Sequence, residues 1–246
     1  MSRMSRAFTA WACLLILMTN APTRAETILV AGATGQSGKL IVAALLREGY
    51  TVRAMSRSAE RAASLGEGVI PAVADVTDPA SLATVMEGVG AVLSAIGGRR
   101  PIGSNGFKAV DWEGNRALID AAKTAHVKRF LVITAGSAGR DGFLYTLPLA
   151  PYPWKAKAEA YLQNSGLDYT IIAPGGLRDE PAGLIGVRLA PKNDYIVGPV
   201  NRSDVAEVMV ASLMDDRTIG TTMTIINDET LEPDAWRETL SKFPKD

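Results

Sequence analysis

The sequence predicts an α/β fold, in which a doubly wound, mainly parallel sheet is flanked by helices. Short apolar runs alternate with amphipathic segments of helical length from residue 27 onward, which is typical of βα units. Runs such as ILVA, FLVIT and YTIIA are apolar on both faces, as strands covered by helices on each side require. The 246 residues, 47% of them hydrophobic, are sufficient for one sizeable core.

Seven strands are expected in one sheet, because each apolar run is short and bounded by turn residues. Pro79 stands where a first helical turn tolerates proline, and Ser203 is expected to cap the last long helix. The strands are expected at residues 27–31, 50–55, 69–74, 91–94, 129–134, 169–173 and 222–226. The helices are expected at residues 37–48, 80–87, 110–125, 154–165 and 204–214, with a weaker one after Ser58.

Charge and cysteine content restrict the classes of partner. Basic and acidic residues number 26 each, so no net positive charge attracts nucleic acid. One cysteine and one histidine do not make a zinc ligand set, and no metal is expected. A small-molecule substrate or a protein partner is therefore expected, and the oligomeric state is left open.

Residues 1–25 have the three regions of a secretory signal peptide. Arg3 and Arg6 precede an uncharged stretch, and small residues at Thr23 and Ala25 follow it. The apolar centre is shorter than the roughly 20 residues of a membrane span, so no stable span is expected, although an uncleaved anchor is an alternative. Residues 26–246 then form the mature domain. The domain is exported or periplasmic if cleavage follows Ala25, and cytoplasmic if the start is over-long.

Three glycines with the spacing G-x-x-G-x-x-G follow the first strand and open the first helix. A pyrophosphate reaches the N–H groups of a helix N-terminus only where no Cβ intervenes, and the partial positive charge there favours the anion. Gly32 is expected to make the tight turn, Gly35 to permit the approach, and Gly38 to pack the helix on the strand. With Thr34 and Gln36 in the same turn, the pattern predicts a Rossmann-type dinucleotide site.

The end of the second strand is expected to select the dinucleotide. An NAD site usually places Asp or Glu roughly 20 residues after the glycines. Here no carboxylate precedes Glu60, and Arg53 and Arg57 are available instead. Arg57 offers a planar cationic fork to a 2′-phosphate, so NADP is favoured over NAD; the alternative is that both arginines are solvated surface charges. Asp75 and Val76, which close the third strand, are expected beside the adenine.

From about residue 27 to 227 the chain resembles the atypical short-chain dehydrogenase/reductase family, in particular its NmrA-like NAD(P)-binding branch. The motifs are GATGQSG, MSRS, ADVTD, AVLSAIG, NRALIDAAKTAHVKRFLVIT, WKAKAEAYLQNSGLDYTIIAPGGL and RSDVAEVMVASL. The resemblance implies a Rossmann fold with the cofactor along the strand ends. It places Ser94, Ala95 and Ile96 near the adenosine ribose, the backbone of Pro174 and Gly175 near the nicotinamide, and Lys155 at the nicotinamide ribose.

The sequence departs from the usual catalytic pattern of that family. Ordinary members carry a proton-donating Tyr four residues before the Lys, on the same helix face. Here Pro151 holds that position, and Tyr152 lies between two prolines. Thr134 and Ser137, after the fifth strand, are candidates for polarising a carbonyl, and both can equally hold the loop. With Lys155 they form the predicted catalytic set.

Two functions are consistent with this pattern. The first is an NADPH-dependent reductase of an easily reduced acceptor, such as a flavin, quinone or conjugated system, which takes its proton from water. The second is a non-catalytic NADP(H)-binding sensor or assembly protein of the NmrA-like type. Loops 96–107 and 135–153 follow the fourth and fifth strands and are expected to line the substrate crevice, because such loops do so in open parallel sheets.

Overall fold

The computed structural model describes residues 26–246, and the leader predicted for residues 1–25 lies outside them. An eight-stranded sheet forms its centre, in which seven strands are parallel and one edge strand is antiparallel. Its strands are β1 (Thr27–Ala31), β2 (Thr51–Ser56), β3 (Val69–Val73), β4 (Ala91–Ser94), β5 (Arg129–Ile133), β6 (Asp168–Pro174), β8 (Gly186–Pro191) and β10 (Thr221–Asp228). A separate two-stranded parallel sheet consists of β7 (Gly176–Arg178) and β9 (Pro199–Asn201).

The strand order is β3-β2-β1-β4-β5-β6-β10-β8. The chain therefore leaves β1 in one direction and returns to β4 on its other side, which makes the carboxyl ends of β1 and β4 a topological switch point. Ligands of open α/β sheets bind in the crevice at such a point. The predicted doubly wound, mainly parallel sheet is confirmed.

Helices pack on both faces of the large sheet. Successive strand residues point to opposite faces, so β1 contributes Ile28 and Val30 to one apolar core and Leu29 and Ala31 to the other. The helices are α1 (Gln36–Arg47), α2 (Ala59–Ala63), α3 (Leu82–Met86), α4 (Asn115–Thr124), α5 (Phe143–Thr146), α6 (Tyr152–Gln163), α7 (Arg202–Leu213) and α8 (Trp236–Ser241).

The large sheet has one strand more than the sequence predicts. Strand β8 pairs antiparallel with β10, with Leu189 opposite Ile225. Its sequence, GVRLAP, contains few β-branched residues and ends in proline, so it gives a weak local strand signal. Pairing with β10 decides its conformation.

Two helix starts also differ from the prediction. Helix α7 begins at Arg202 with Asn201 at its N-cap, so the prediction that Ser203 caps it is wrong. The Ser203 hydroxyl instead donates to the carbonyl oxygen of Glu180 at 2.5 Å. The helix predicted from residue 110 begins with a π-helical segment, Lys108–Gly114, that continues into α4. Such segments occur frequently at functional sites.

No helix within residues 26–246 has the length and apolar character needed to cross a membrane.

Candidate functional site

The turn between β1 and α1 excludes side chains from two of its three glycines. Gly32 has φ of +78°, and a Cβ there would lie 2.9 Å from the carbonyl oxygen of Ala95. A Cβ on Gly38 would lie 2.1 Å from the carbonyl oxygen of Gly32. A Cβ on Gly35 would meet only that same oxygen, at 3.2 Å, so the rest of its surroundings is open. The first and third glycines therefore serve close packing, and the second leaves the turn accessible.

The N-terminus of α1 is suited to an anion. Gly35 is its N-cap in an extended conformation, with no side chain bonded to the first turn. That turn contains no acidic residue, so its N–H groups and partial positive charge meet no competing carboxylate of the helix. An accessible helix N-terminus next to a glycine turn is where a pyrophosphate binds. The residues present therefore fit the pyrophosphate of a dinucleotide.

A cleft opens next to the glycine turn, at the carboxyl ends of β2, β3 and β4. Most of the residues predicted to hold the adenosine half of a cofactor line it: Gly32, Thr34, Gly35, Arg57, Asp75, Val76, Ala95 and Ile96. Arg99 and Asn105, which also line the cleft, belong to loop 96–107, which the sequence predicts at the crevice. The sequence prediction missed Ser56, Arg61 and Thr77. Arg61 lies in α2, four residues after Arg57, and a second arginine so close in the chain could have identified it.

Three arginines near the end of β2 have different surroundings. Arg53 donates to two carbonyl oxygens at the end of α3, at 2.9 and 2.7 Å, and so joins β2 to that helix. Arg57 is exposed, and its guanidinium lies 4.0 Å from the Asp75 carboxylate. Arg61 lines the same cleft. Arg57 and Arg61 therefore offer guanidinium groups to the cleft, whereas the donors of Arg53 are used within the fold.

Ser94 lies at the end of β4, but its side chain is fully buried. Its hydroxyl donates to the Asn115 side-chain oxygen at 2.8 Å, and the Asn115 amide donates to the backbone oxygen of Asp111 at 3.0 Å. The Ser94 side chain thus joins β4 to the start of α4. Its neighbours Ala95 and Ile96 are the residues of this group that line the cleft.

Lys155, on α6, forms an ion pair with Asp111 in the π-helical segment. The distance from Nζ to Oδ1 is 2.7 Å, and the side chains are 15% and 1% exposed. The other carboxylate oxygen of Asp111 accepts the N–H of Gly98 at 3.1 Å, which joins loop 96–107 to the same group. Lys155 is therefore held in one orientation by a carboxylate that the sequence analysis did not identify.

A second ion pair lies one turn further along α6, where Lys192 donates to the buried Glu159 carboxylate. Burial raises the pKa of Glu159, and the positive charge of Lys192 opposes that rise. The hydroxyl of Thr134 also faces Glu159 and acts to lower its pKa. Even so, Thr134 Oγ1 and Glu159 Oε1 are both buried without a hydrogen-bond partner among the described residues. Ser137 lies in the loop beyond and is partly exposed.

Tyr152 is the first residue of α6, and its ring packs edge-on against the ring of Tyr145, with 5.6 Å between the ring centres. The carbonyl oxygen of Pro151, the residue in the usual tyrosine position, accepts the N–H of Lys155 at 3.0 Å. Pro151 therefore accepts the first hydrogen bond of α6 through its backbone, and the Tyr152 side chain packs against α5.

Pro174 and Gly175 lie at the end of β6, which the sequence predicts to be near the nicotinamide. The carbonyl oxygen of Pro174 accepts the N–H of Gly136 at 2.8 Å, and Gly175 donates to Ile225 at 3.0 Å. A Cβ on Gly175 would lie 2.0 Å from the carbonyl oxygen of Gly198. The ends of β5 and β6 are therefore joined to each other and are covered by the chain around Gly198.

Residues 26–246 contain no group of three or more His, Cys, Asp or Glu side chains arranged to hold a metal ion.

A family model described as NAD(P)H-binding matches residues 32–216. Sanguinarine reductase from Eschscholzia californica is 32% identical over 231 residues, which cover 76% of this chain and 84% of that protein. Protein TIC 62, chloroplastic, from Oryza sativa subsp. japonica is 31% identical over 220 residues, covering 78% of this chain and 44% of that protein. The crystal structure of the oxidoreductase ylbE from Lactococcus lactis has a TM-score of 0.73 at 29% identity, covering 88% of this chain and 96% of that one.

Proposed function

The chain belongs to the NAD(P)H-binding family, and from that premise we propose that it is an NADPH-dependent reductase of an easily reduced acceptor. The observation that carries the proposal is the accessible N-terminus of α1 at Gly35, next to a cleft lined by Arg57 and Arg61. The names of two similar proteins, sanguinarine reductase and the oxidoreductase ylbE, support reduction as the activity.

The adenosine half of the cofactor is assigned to the cleft. The N–H groups at the start of α1 bind the pyrophosphate, and Gln36 and Gly38 belong to the same turn. Arg57 and Arg61 bind the 2′-phosphate, because a guanidinium matches the geometry of a phosphate. No Asp or Glu in the segment that follows β2 competes for a 2′-hydroxyl before Glu60. This combination favours NADP over NAD.

The nicotinamide half is assigned to Lys155 and to the backbone of Pro174 and Gly175. Asp111 holds the Lys155 ammonium in place, so that its remaining N–H donors are oriented for ribose hydroxyls. The acceptor takes a hydride from NADPH and one proton from water, which leaves a two-electron-reduced product and NADP⁺. Ser137 is the hydroxyl assigned to orient the acceptor, whereas the buried Thr134 hydroxyl is assigned to the Glu159 carboxylate that it faces.

The test is oxidation of NADPH, followed at 340 nm, with flavins and quinones as acceptors. We expect turnover by the purified protein, and a lower kcat for Lys155→Met with little change in the binding of NADPH through the adenosine cleft. Tight binding of NADPH without turnover of any acceptor would contradict the reductase proposal.

The same assay tests the choice of cofactor. Arg57→Ala is expected to lower the affinity for NADPH by about tenfold. It removes a charge-assisted hydrogen bond to the 2′-phosphate, and solvent partly screens that interaction. NADH lacks that phosphate and serves as the internal control, with unchanged affinity. An equal loss for both coenzymes would refute the assignment of Arg57.

A non-catalytic NADP(H)-binding role is the second candidate. It is favoured by the proline in the tyrosine position. In that case cofactor occupancy would change the surface offered to a protein partner. Binding of NADPH with no oxidation, and a change in partner binding between NADP⁺ and NADPH, would support this role.

We also propose that residues 1–25 are a removable leader and that residues 26–246 form the mature NAD(P)-binding domain. Sequencing the N-terminus of the protein purified from its native cell tests this proposal. A mature chain that begins at Glu26 would support export, and a chain that begins within residues 1–25 would contradict cleavage after Ala25.

A further inference from the structure

The chain between β8 and β9 covers the ends of two central strands. We call residues 192–198 the covering segment. A Cβ on Gly136, after β5, would lie 2.5 Å from the ring of Tyr195. At the other end of the segment, the carbonyl oxygen of Gly198 accepts the N–H of Gly176 at 2.9 Å. Glycines after β5 and β6 thus allow this segment to approach the strand ends to which the nicotinamide is assigned.

A buried charge anchors the covering segment to α6. Lys192, its first residue, supplies the counter-ion of Glu159, whose residue is only 6% exposed. Glu159 lies one helical turn after Lys155. A buried carboxylate without its partner is costly, so the Glu159–Lys192 pair ties the position of the segment to the helix that carries Lys155.

An aromatic and cationic cluster lies between the covering segment and loop 135–153. The guanidinium carbon of Arg140 lies 5.4 Å from the centre of the Tyr195 ring and 5.8 Å from that of the Tyr145 ring. Arg140 is exposed, and among residues 26–246 it makes no ion pair. Two tyrosine faces and one guanidinium therefore meet at this end of the sheet.

Large apolar side chains are exposed on both sides of this cluster. Ile196 and Val197 of the covering segment are 57% and 68% exposed. Phe143 and Leu149, in the facing loop, are 76% and 61% exposed. Exposed apolar side chains gathered in one place mark a surface that binds an apolar ligand or partner. The tyrosine and arginine planes between them favour a flat ligand, because both groups stack on conjugated rings.

We propose that Tyr195, Arg140 and Tyr145 form the acceptor site, which stacks a planar conjugated ring bearing a phosphate or carboxylate, and that the Glu159–Lys192 pair positions it. The proposal rests on the proposed reductase function and specifies its substrate class. The ring stacks on Tyr195, and the anionic group pairs with Arg140. Tyr195 and Arg140 contact the acceptor, whereas Glu159 and Lys192 act through the covering segment as positioning residues.

The test uses FMN as a planar anionic probe and riboflavin as its counterpart without phosphate. Each is titrated into the full-length protein saturated with NADP⁺, and quenching of flavin fluorescence reports stacking. We expect saturable quenching by both, with FMN at least tenfold tighter than riboflavin, and loss of that difference in Arg140→Ala. Equal affinities of the unaltered protein for the two flavins would overturn the role of Arg140.

Tyr195→Ala is expected to lower the affinity for both flavins at least tenfold. The matched control is Tyr161→Ala, which removes a tyrosine ring packed 5.7 Å from that of Trp112 on another side of α6. It should leave flavin affinity unchanged. Quenching by Tyr195→Ala equal to that of the unaltered protein would overturn the proposed site.

Glu159→Gln tests the positioning role, because it keeps the size of the side chain and releases Lys192 into solvent. It should raise the flavin KM and Kd severalfold and lower kcat less than it raises KM. Lys192→Arg, which keeps the ion pair, should retain the flavin affinity of the unaltered protein. Lys192→Met, which removes the charge, should weaken flavin binding as Glu159→Gln does. Equal flavin affinities of the two Lys192 variants would contradict the positioning role of the Glu159–Lys192 pair. This comparison holds even if Glu159→Gln fails to fold.

These outcomes separate the inference from the proposed function. Flavin binding that depends on Tyr195 but is not followed by NADPH oxidation would support the site and contradict the reductase. Turnover of flavins that is unaffected by Tyr195→Ala would support the reductase and contradict the proposed acceptor site.

Discussion

The turn around Gly35 and the region around Lys155, to which we assign the two halves of the cofactor, differ in the groups that form them. The turn consists of backbone, and a Cβ on Gly38 would lie 2.1 Å from a carbonyl oxygen. The region around Lys155 consists of buried charged side chains, with Asp111 and Glu159 1% and 6% exposed. The first region is therefore sensitive to added atoms, and the second to lost charges.

The two regions therefore tolerate different substitutions. A backbone site keeps its geometry as long as Gly32 and Gly38 carry no side chain. A site of buried ion pairs requires both members of each pair, and those members come from distant segments. We expect substitutions to separate these two behaviours.

The largest effect is expected from Asp111→Ala, which leaves the Lys155 ammonium without its partner in a largely buried position. Breaking a buried ion pair costs about 3 kcal/mol or more in the free energy of unfolding. Chemical denaturation monitored by circular dichroism measures it. Glu238→Ala, which breaks the exposed pair with Lys242, is the control and should leave the free energy of unfolding nearly unchanged. Similar losses in both variants would remove the distinction between the two regions.

Gly38→Ala is expected to have the next largest effect. Its added methyl group would clash with the Gly32 backbone, and overpacking of this kind costs about 1–3 kcal/mol in the free energy of unfolding. Thermal and chemical denaturation measure that cost. A loss below about 0.5 kcal/mol would show that α1 moves away from the turn without penalty.

Gly35→Asp is the matched variant in the same turn. Aspartate is favoured at an N-cap, so we expect the fold to stay as stable as the unaltered protein. Its negative charge would repel the pyrophosphate, so NADPH binding measured by fluorescence titration should be lost. Retained affinity would contradict the assignment of the pyrophosphate to this helix end.

The smallest expected effect is a pH dependence confined to alkaline solution. In β6, burial raises the pKa of Tyr169 to about 12, with the Asp246 carboxylate adding to the rise. The neutral phenol therefore contributes stability that is fully present below pH 10 and is lost as the pH rises through about 12. Ultraviolet titration should show a tyrosine that ionises near pH 12, and Tyr169→Phe should remove that transition. A complete tyrosine titration by pH 11 would contradict it.

Local sequence predicted the first region well because its determinants are neighbours in the chain. The strand, the three glycines and the helix lie within residues 27–47, and Arg57 follows at the end of the next strand. Their φ angles and close contacts are set within a single βα unit. The mainly parallel sheet followed from the same alternation of strands and helices, because parallel strands need a crossover connection, which is usually a helix.

The second region was only partly predictable. Lys155 was assigned from the resemblance to a known family, but Asp111, Glu159 and Lys192 carried no signal as a group. Each is an ordinary charged residue in its own segment. The prediction of the α7 N-cap was wrong for a related reason. The contacts of Asn201 with Asn227 and Asp204 place the cap two residues earlier than the Ser203 pattern indicates.

The sequence by itself determined the doubly wound sheet, the glycine turn and the position of Arg57 directly after β2, because these depend on periodicity and on backbone sterics within a few residues. Only the tertiary structure decided that Asp111 orients Lys155, that Lys192 neutralises Glu159 and that Tyr195 covers Gly136. Those contacts join segments far apart in the chain. Burial raises the cost of an unpaired charge only after the fold has excluded water, so no local pattern records which charges will be partners.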